Sequence, residues 1–257
     1  MNGIRKDVNI ILDLTIVVIV FMVVTIHNTY PKTLYAFSNS NNRAAIVSGG
    51  SKEDKIIALT FDDGPHPEYT VEILDLLKQY NAKATFFVLG KYAETYPEII
   101  RRQIAEGHEV GNHSYSHVNM KKVSSKVIKQ EFEKTQDIIY SIANVRPKVF
   151  RPPYGNYNDD VIKIVSSDDS AVVLWTFYQD SKDWSNPGVD VVIDTTLSKV
   201  QNGDIILFHD YVYKPESHTV GALKVILPKL VDEGYKFVTM SELINLSQDR
   251  KVLNNFN

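Results

Sequence analysis

Between residues 55 and 245, short apolar runs alternate with stretches whose apolar positions recur at helical spacing. Residues 55–61, Lys-Ile-Ile-Ala-Leu-Thr-Phe, are β-branched and apolar enough for a buried strand, which Gly64-Pro65 ends. Over 67–80, Val71, Ile73, Leu74 and Leu77 fall at the spacing of an amphipathic helix. Residues 84–89 predict a second buried strand closed by Gly90, and 96–106 a helix stopped at Gly107. The alternation continues with a strand at 109–112, a helix at 124–141, a strand at 149–152 and a helix at 159–166. A strongly apolar strand is expected at 171–177, then a helix at 189–200, a strand at 204–208, a helix at 220–233 and a last strand at 235–240. Seven strands with crossover helices predict an α/β fold with a parallel sheet, either a barrel or a doubly wound sheet.

Composition adds little to this and removes much. The chain has 257 residues, 44% of them hydrophobic and 23% charged, which suffices for one large core. Its formal charge of -3 argues against a surface built for nucleic acid. Without cysteine there are no disulfides or thiolate ligands, so His, Asp and Glu are the strong metal donors available. No internal repeat is present, and a monomer is expected.

The N-terminus bears on location. Residues 14–26 are apolar except for Thr15 and Thr25, and Arg5 and Lys6 precede them. The run fits a signal-peptide core; extended back to Val8 it reaches the ~20 residues of a span and takes in Asp13. Residues 1–30 are therefore expected to be a signal peptide or membrane anchor, with the anchor preferred because no clean cleavage site follows. The mostly small and polar residues of 31–54 read as a linker, and 55–257 as the folded domain, placed outside the cytoplasm and facing the cell wall.

Polar residues that look out of place cluster just after strand ends. Asp62-Asp63 follow the first strand, His113 and His117 the third, Arg151 leaves the fourth, Asp183-Trp184 come after the fifth, and His209-Asp210 end the sixth. In a parallel β/α fold these positions meet on one face, where active sites form. Two adjacent carboxylates repel each other unless one binds a cation while the other takes a proton from water. Taken alone, Asp-Asp suits a solvated turn. A pair of histidines four apart, expected on a helical turn, would join a carboxylate in a set that leaves metal positions open.

Thr60-Phe61-Asp62-Asp63-Gly64-Pro65, His113-Ser114-Tyr115-Ser116-His117, Arg151-Pro152-Pro153-Tyr154-Gly155, Asp180-Ser181-Lys182-Asp183-Trp184 and Leu207-Phe208-His209-Asp210 carry a family resemblance. In this order they resemble the five motifs of the polysaccharide deacetylases, the NodB-homology or carbohydrate esterase family 4 enzymes, over residues 53–245. The resemblance implies a distorted (β/α) barrel, here with about seven parallel strands, and metal-dependent removal of acetyl groups from N-acetylated sugar polymers. It makes Asp63, His113 and His117 the metal ligands and Asp62 the general base. Arg151 would pair with Asp62, and the Tyr154 N–H would stabilise the oxyanion. His209 would be the general acid with Asp183 behind it, while Trp184 and Leu207 would wall the acetyl-methyl pocket. Zinc is the expected metal, with cobalt, nickel, iron and manganese open on ligand type.

One stretch departs from the family pattern. Thr176-Phe177-Tyr178-Gln179 is longer than expected between Trp175 and Asp180, so either Phe177 takes the strand-end aromatic position or the strand bulges. The expected substrate is a glycan of N-acetylglucosamine, with peptidoglycan favoured by location. Alternatives are a chitin oligosaccharide, an O-acetylated xylan, or a silent carbohydrate-binding module on the same scaffold.

Overall fold

The computed structural model describes residues 46–212 and 216–254. The apolar run at 14–26 and the linker residues before 46 lie outside them. Among the described residues no helix is long and apolar enough to cross a membrane.

The strands are β1 (Ile46–Val47), β2 (Ile56–Asp62), β3 (Ala84–Val88), β4 (Glu109–Asn112), β5 (Val149–Phe150), β6 (Ala171–Val173), β7 (Ile205–His209) and β8 (Lys236–Phe237). Between and after them run α1 (Tyr69–Gln79), α2 (Gly90–Thr95), α3 (Pro97–Ala105), α4 (Ser125–Ala143), α5 (Asp159–Ser167), α6 (Val189–Leu197), α7 (His218–Asp232) and α8 (Met240–Asn254). The sheet order is β1-β6-β5-β4-β3-β2-β7, all pairings are parallel, and β8 pairs with the first residues of β2. This is the expected parallel α/β architecture, as a curled half-barrel rather than a closed cylinder.

β2 is the buried strand the sequence predicts, and its whole length is covered because a parallel sheet carries packing on both faces. Phe61 stacks between its register partners Phe86 and Phe208, with ring centroids 5.0 and 5.7 Å away. Leu74 and Leu77 of α1, Ile100 of α3 and Ile226 of α7 complete this side of the core. Thr60 and Asp62, alternating with Phe61, both meet the Arg151 guanidinium on the other face. Deeper in the curl, Ala58, Phe87, Val149 and Ile205 pack against Met240 and Leu243 of α8.

Three expectations are corrected. The strand read over 235–240 is β8 alone, and Met240 begins a helix. Thr239 and Glu242 make a reciprocal cap there: Thr239 N–H donates to Glu242 Oε2 at 2.9 Å and Glu242 N–H to Thr239 Oγ1 at 3.3 Å. The stretch read as a polar tether contains β1, in register with Val172 and Val173 of β6. The strand read over 171–177 stops at Val173, and the backbone then crosses toward β7. Leu174 N–H donates to Val47 O, Thr176 N–H to Ile205 O, and Leu207 N–H to Gln179 O, so irregular chain bridges the two ends of the sheet.

At the rim where the strands begin, fully buried Asp204 forms a clasp. It receives Lys52 Nζ at 2.8 Å, the Tyr178 hydroxyl at 3.0 Å, Gln179 Nε2 at 3.2 Å and the Gln201 N–H at 2.9 Å. Donors from three stretches of chain, around residues 52, 178–179 and 201, are held by one carboxylate.

Candidate active site

The opposite rim gathers the polar residues. Asp62 is the last residue of β2, and Asp63 turns out of the sheet with φ at 74°. Asp63 Oδ1 lies 3.4 Å from His113 Nε2 and 3.2 Å from His117 Nε2. One ligand atom from each of the three residues falls within 4.8 Å of the others. Asp63 Oδ1 is buried with no hydrogen-bond partner, which is the condition of an oxygen shaped to meet a cation. His113 Nδ1 is 2.7 Å from the Arg151 carbonyl, which accepts only, so Nδ1 carries the proton and Nε2 presents its lone pair inward. The three residues thus fit a divalent metal by donor type, spacing and tautomer.

The two histidines do not stand on a helical turn. They lie in a loop after β4 where Ser114 and His117 take left-handed φ values of 70° and 66°. Asn112 Oδ1 accepts the Ser114 N–H, and Ser114 Oγ accepts the His117 N–H. Glu131 of α4 takes the N–H groups of Tyr115 and Ser116 at 3.0 and 2.7 Å, tying the loop down from outside. Asn112 and Glu131 were not singled out from sequence, because their role exists only once β4 and α4 are packed together.

Arg151, fully buried, donates from Nη1 to Asp62 Oδ1 at 2.8 Å and to Thr60 Oγ1 at 2.8 Å, and from Nη2 to Leu174 O at 3.2 Å. Its guanidinium carbon sits 4.2 Å from the Phe87 ring centroid. On the neighbouring strand, in register with Asp62, stands His209. Asp183 grips it twice: Oδ1 lies 2.7 Å from His209 Nδ1 and Oδ2 accepts the His209 N–H at 2.7 Å. The Thr219 hydroxyl donates to the same Oδ2 at 2.7 Å.

These neighbours set the charges. Burial pushes the His209 imidazole down, but the Asp183 carboxylate outweighs it and carries the pKa up to about 10. Burial raises the Asp63 carboxyl, yet the imidazoles around it, His113 above all and then His209 and His117, hold it at about 2. His113 is raised because Asp62 and Asp63 overcome its burial; His117 is lowered by burial and by His113 beside it. Asp210, next to His209, is pushed up to about 7 by burial, with Asp63 and Asp62 adding to it.

Tyr154 follows Pro152 and Pro153 at φ 61°, is 62% exposed, and lays its ring 4.6 Å from that of His117. The adjacent turns use the N–H groups of Gly155 and Asn156, not that of Tyr154. Trp184 is 52% exposed, with Lys182 Nζ 5.7 Å from its ring, whereas Leu207 lies within β7 and is 3% exposed. Phe177 does not take the strand-end aromatic place, being 95% exposed on the crossing segment. Trp175 stays inside, its ring 5.9 Å from the Arg151 guanidinium carbon, and the extra residues form the turn that ends β6 early.

Among the described residues, the remaining histidines accept backbone hydrogen bonds away from this cluster. His66 Nδ1 accepts the N–H groups of Glu68 and Tyr69, and His218 Nδ1 that of Gly188. His108 is buried before β4, where burial pushes its imidazole down to about 4. Its Nδ1 accepts the Ala84 N–H.

A family model described as polysaccharide deacetylase matches residues 49–173. A peptidoglycan-N-acetylglucosamine deacetylase of Bacillus cereus is 41% identical over 191 residues, spanning 74% of this chain and 89% of that protein. A chitooligosaccharide deacetylase of Sinorhizobium fredii is 38% identical over 189 residues, covering 70% of this chain and 87% of its own. Among solved structures, a peptidoglycan N-acetylglucosamine deacetylase superposes with a TM-score of 0.73 at 38% identity, over 78% of this chain and 92% of the other.

Proposed function

The chain belongs to the polysaccharide deacetylase family, and we propose that it hydrolyses N-acetyl groups on an N-acetylglucosamine-containing glycan, with peptidoglycan the favoured substrate. The observation that carries this reading is the unequal treatment of two adjacent carboxylates. Asp62 is held by Arg151 and Thr60 has the same guanidinium, while Asp63 turns to two imidazoles. One acid is thereby reserved for a proton and the other for a cation.

Asp63, His113 and His117 would hold a divalent metal, which when bound would lower the pKa of a water and polarise the acetyl carbonyl. Zinc suits this donor set, as do cobalt, nickel, iron and manganese. Asp62 receives the proton of the attacking water, and Arg151 keeps its lone pair aimed. As charge builds on the acetyl oxygen, the Tyr154 N–H donates to it, its direction fixed by the two prolines before it. His209 hands its proton to the departing amine nitrogen, which otherwise leaves poorly; Asp183 keeps that proton in place beforehand. Trp184 offers an exposed apolar wall to the acetyl methyl group, with Leu207 contributing a narrow strip of β7.

Peptidoglycan is favoured because the run at 14–26 would carry the domain beyond the membrane, and because the Bacillus cereus relative acts on it by name. Similarity to the chitooligosaccharide deacetylase supports chitin oligomers as the second reading. The test is acetate release from purified peptidoglycan and from chitin oligomers, with mass spectrometry of the digested glycans. Loss of acetyl groups from peptidoglycan, stopped by a chelator and restored by zinc, is expected. Absence of acetate from both polymers overturns the proposal.

A further inference from the structure

Asp210 ends the same motif as His209, yet nothing above gives it a task. It is buried, and its three hydrogen bonds go to the two residues flanking Asp63 and to the start of α1. Oδ1 accepts the Gly64 N–H at 3.0 Å, and the Asp210 N–H donates to the Asp62 carbonyl at 3.2 Å. Oδ2 accepts the Thr70 hydroxyl at 2.6 Å, and Thr70 Oγ1 in turn accepts the His66 N–H at 2.7 Å. On the far side, the Gly64 carbonyl accepts the Leu89 N–H at 2.9 Å. The peptides before and after Asp63 are therefore both tied to Asp210 at the end of β7, and the next peptide, Gly64–Pro65, is tied to Leu89 at the end of β3.

Asp63 needs such restraint. A left-handed φ of 74° is unfavourable for a residue with a Cβ, and it persists where the surroundings fix the backbone on both sides. Gly64 shows how close the carboxylate comes: a Cβ there would lie 2.2 Å from Asp210 Oδ2. Only glycine admits the carboxylate at this distance, which explains Gly64 sterically.

We propose that Asp210 is a positioning residue for the metal site, its carboxylate clamping the turn that directs Asp63 Oδ1 at His113 and His117. The inference rests on the metal-site reading above, and its test reads metal binding without turnover. Zinc affinity is measured on purified protein by competition with a chromophoric chelator, for wild type, Asp63→Ala, Asp210→Ala, Asp210→Asn and Thr70→Val. Asp210→Ala frees the turn and weakens zinc binding about 10–100-fold, the usual cost of losing a residue that orients a metal ligand. Asp210→Asn keeps an oxygen for the Gly64 N–H and stays within about threefold of wild type, with the larger loss reserved for alanine. Thr70→Val, which removes one brace and keeps the side-chain shape, falls between them.

If Asp210→Asn binds as weakly as Asp210→Ala, charge rather than placement is at work and the proposal fails. It fails equally if alanine at 210 leaves affinity unchanged. Should Asp210→Ala not fold, unaltered affinity in Thr70→Val overturns it, and a loss there supports it. Wild type that takes up no zinc, or Asp63→Ala that binds as well as wild type, removes the metal-site reading itself and the clamp with it.

Discussion

Arg151 serves two neighbours through different parts of one residue. Its side chain holds Asp62, and its carbonyl fixes the tautomer of His113. Because Asp62 takes its hydrogen bond from the guanidinium and stands 3.7 Å from His113 Nε2, farther than Asp63 does, Asp62→Asn is expected to lower kcat by about 10²–10⁴-fold, the range for a lost general base. Zinc content measured by elemental analysis should be unchanged in that variant. Asp183 acts on His209 in the opposite sense to burial. With the imidazole raised to about 10, it is protonated below that pH, and its power to donate is lost as pH rises through that value. Asp183→Asn removes the charge and leaves burial to act, so the alkaline limb of the kcat profile moves to lower pH; an unmoved limb would detach Asp183 from the proton. The same linkage acts on stability: the contribution is full below the unfolded value of 6.5 and disappears toward about pH 10.

At the level of elements, what could be read in advance was whatever hydrophobic pattern alone decides. β2 and β4 stand within a residue of expectation because their apolar runs are bounded by Gly, Pro and polar positions. β6 was overread because Leu174, Trp175 and Phe177 look like strand, and only the packed molecule shows Trp175 turned toward Arg151. α8 had a legible signal in Thr239-Met240-Ser241-Glu242, a reciprocal helix cap, hidden by the apolar residues before it. The histidine loop was invisible in kind: helical spacing and two left-handed residues can bring the same nitrogens together. Asn112 and Glu131 were equally hidden, since each is defined by a partner on another element, and Asp210 was visible as a rim residue while its hold on Gly64 was not. The ladder beneath the site yields a stability prediction. Phe61→Ala removes the middle ring of three and should cost about 3–5 kcal/mol, read from urea unfolding. A cost near zero would mean that the ladder does not support β2.

Across the whole molecule, parallel pairing is what turns five scattered motifs into one site. Every strand that carries chemistry points the same way, so Asp62, His113, Arg151 and His209 arrive at one rim although 147 positions separate the first from the last (209 minus 62). The motif order made this convergence readable before any coordinates; the curl of the sheet and its irregular bridge were not, because they depend on how its edges meet. The Asp204 clasp lies at the other rim and touches none of the residues that would handle glycan. Robustness and reactivity are thus kept at separate addresses, and an engineer seeking a hardier catalyst can rework the lower storey while the workshop above keeps its tools.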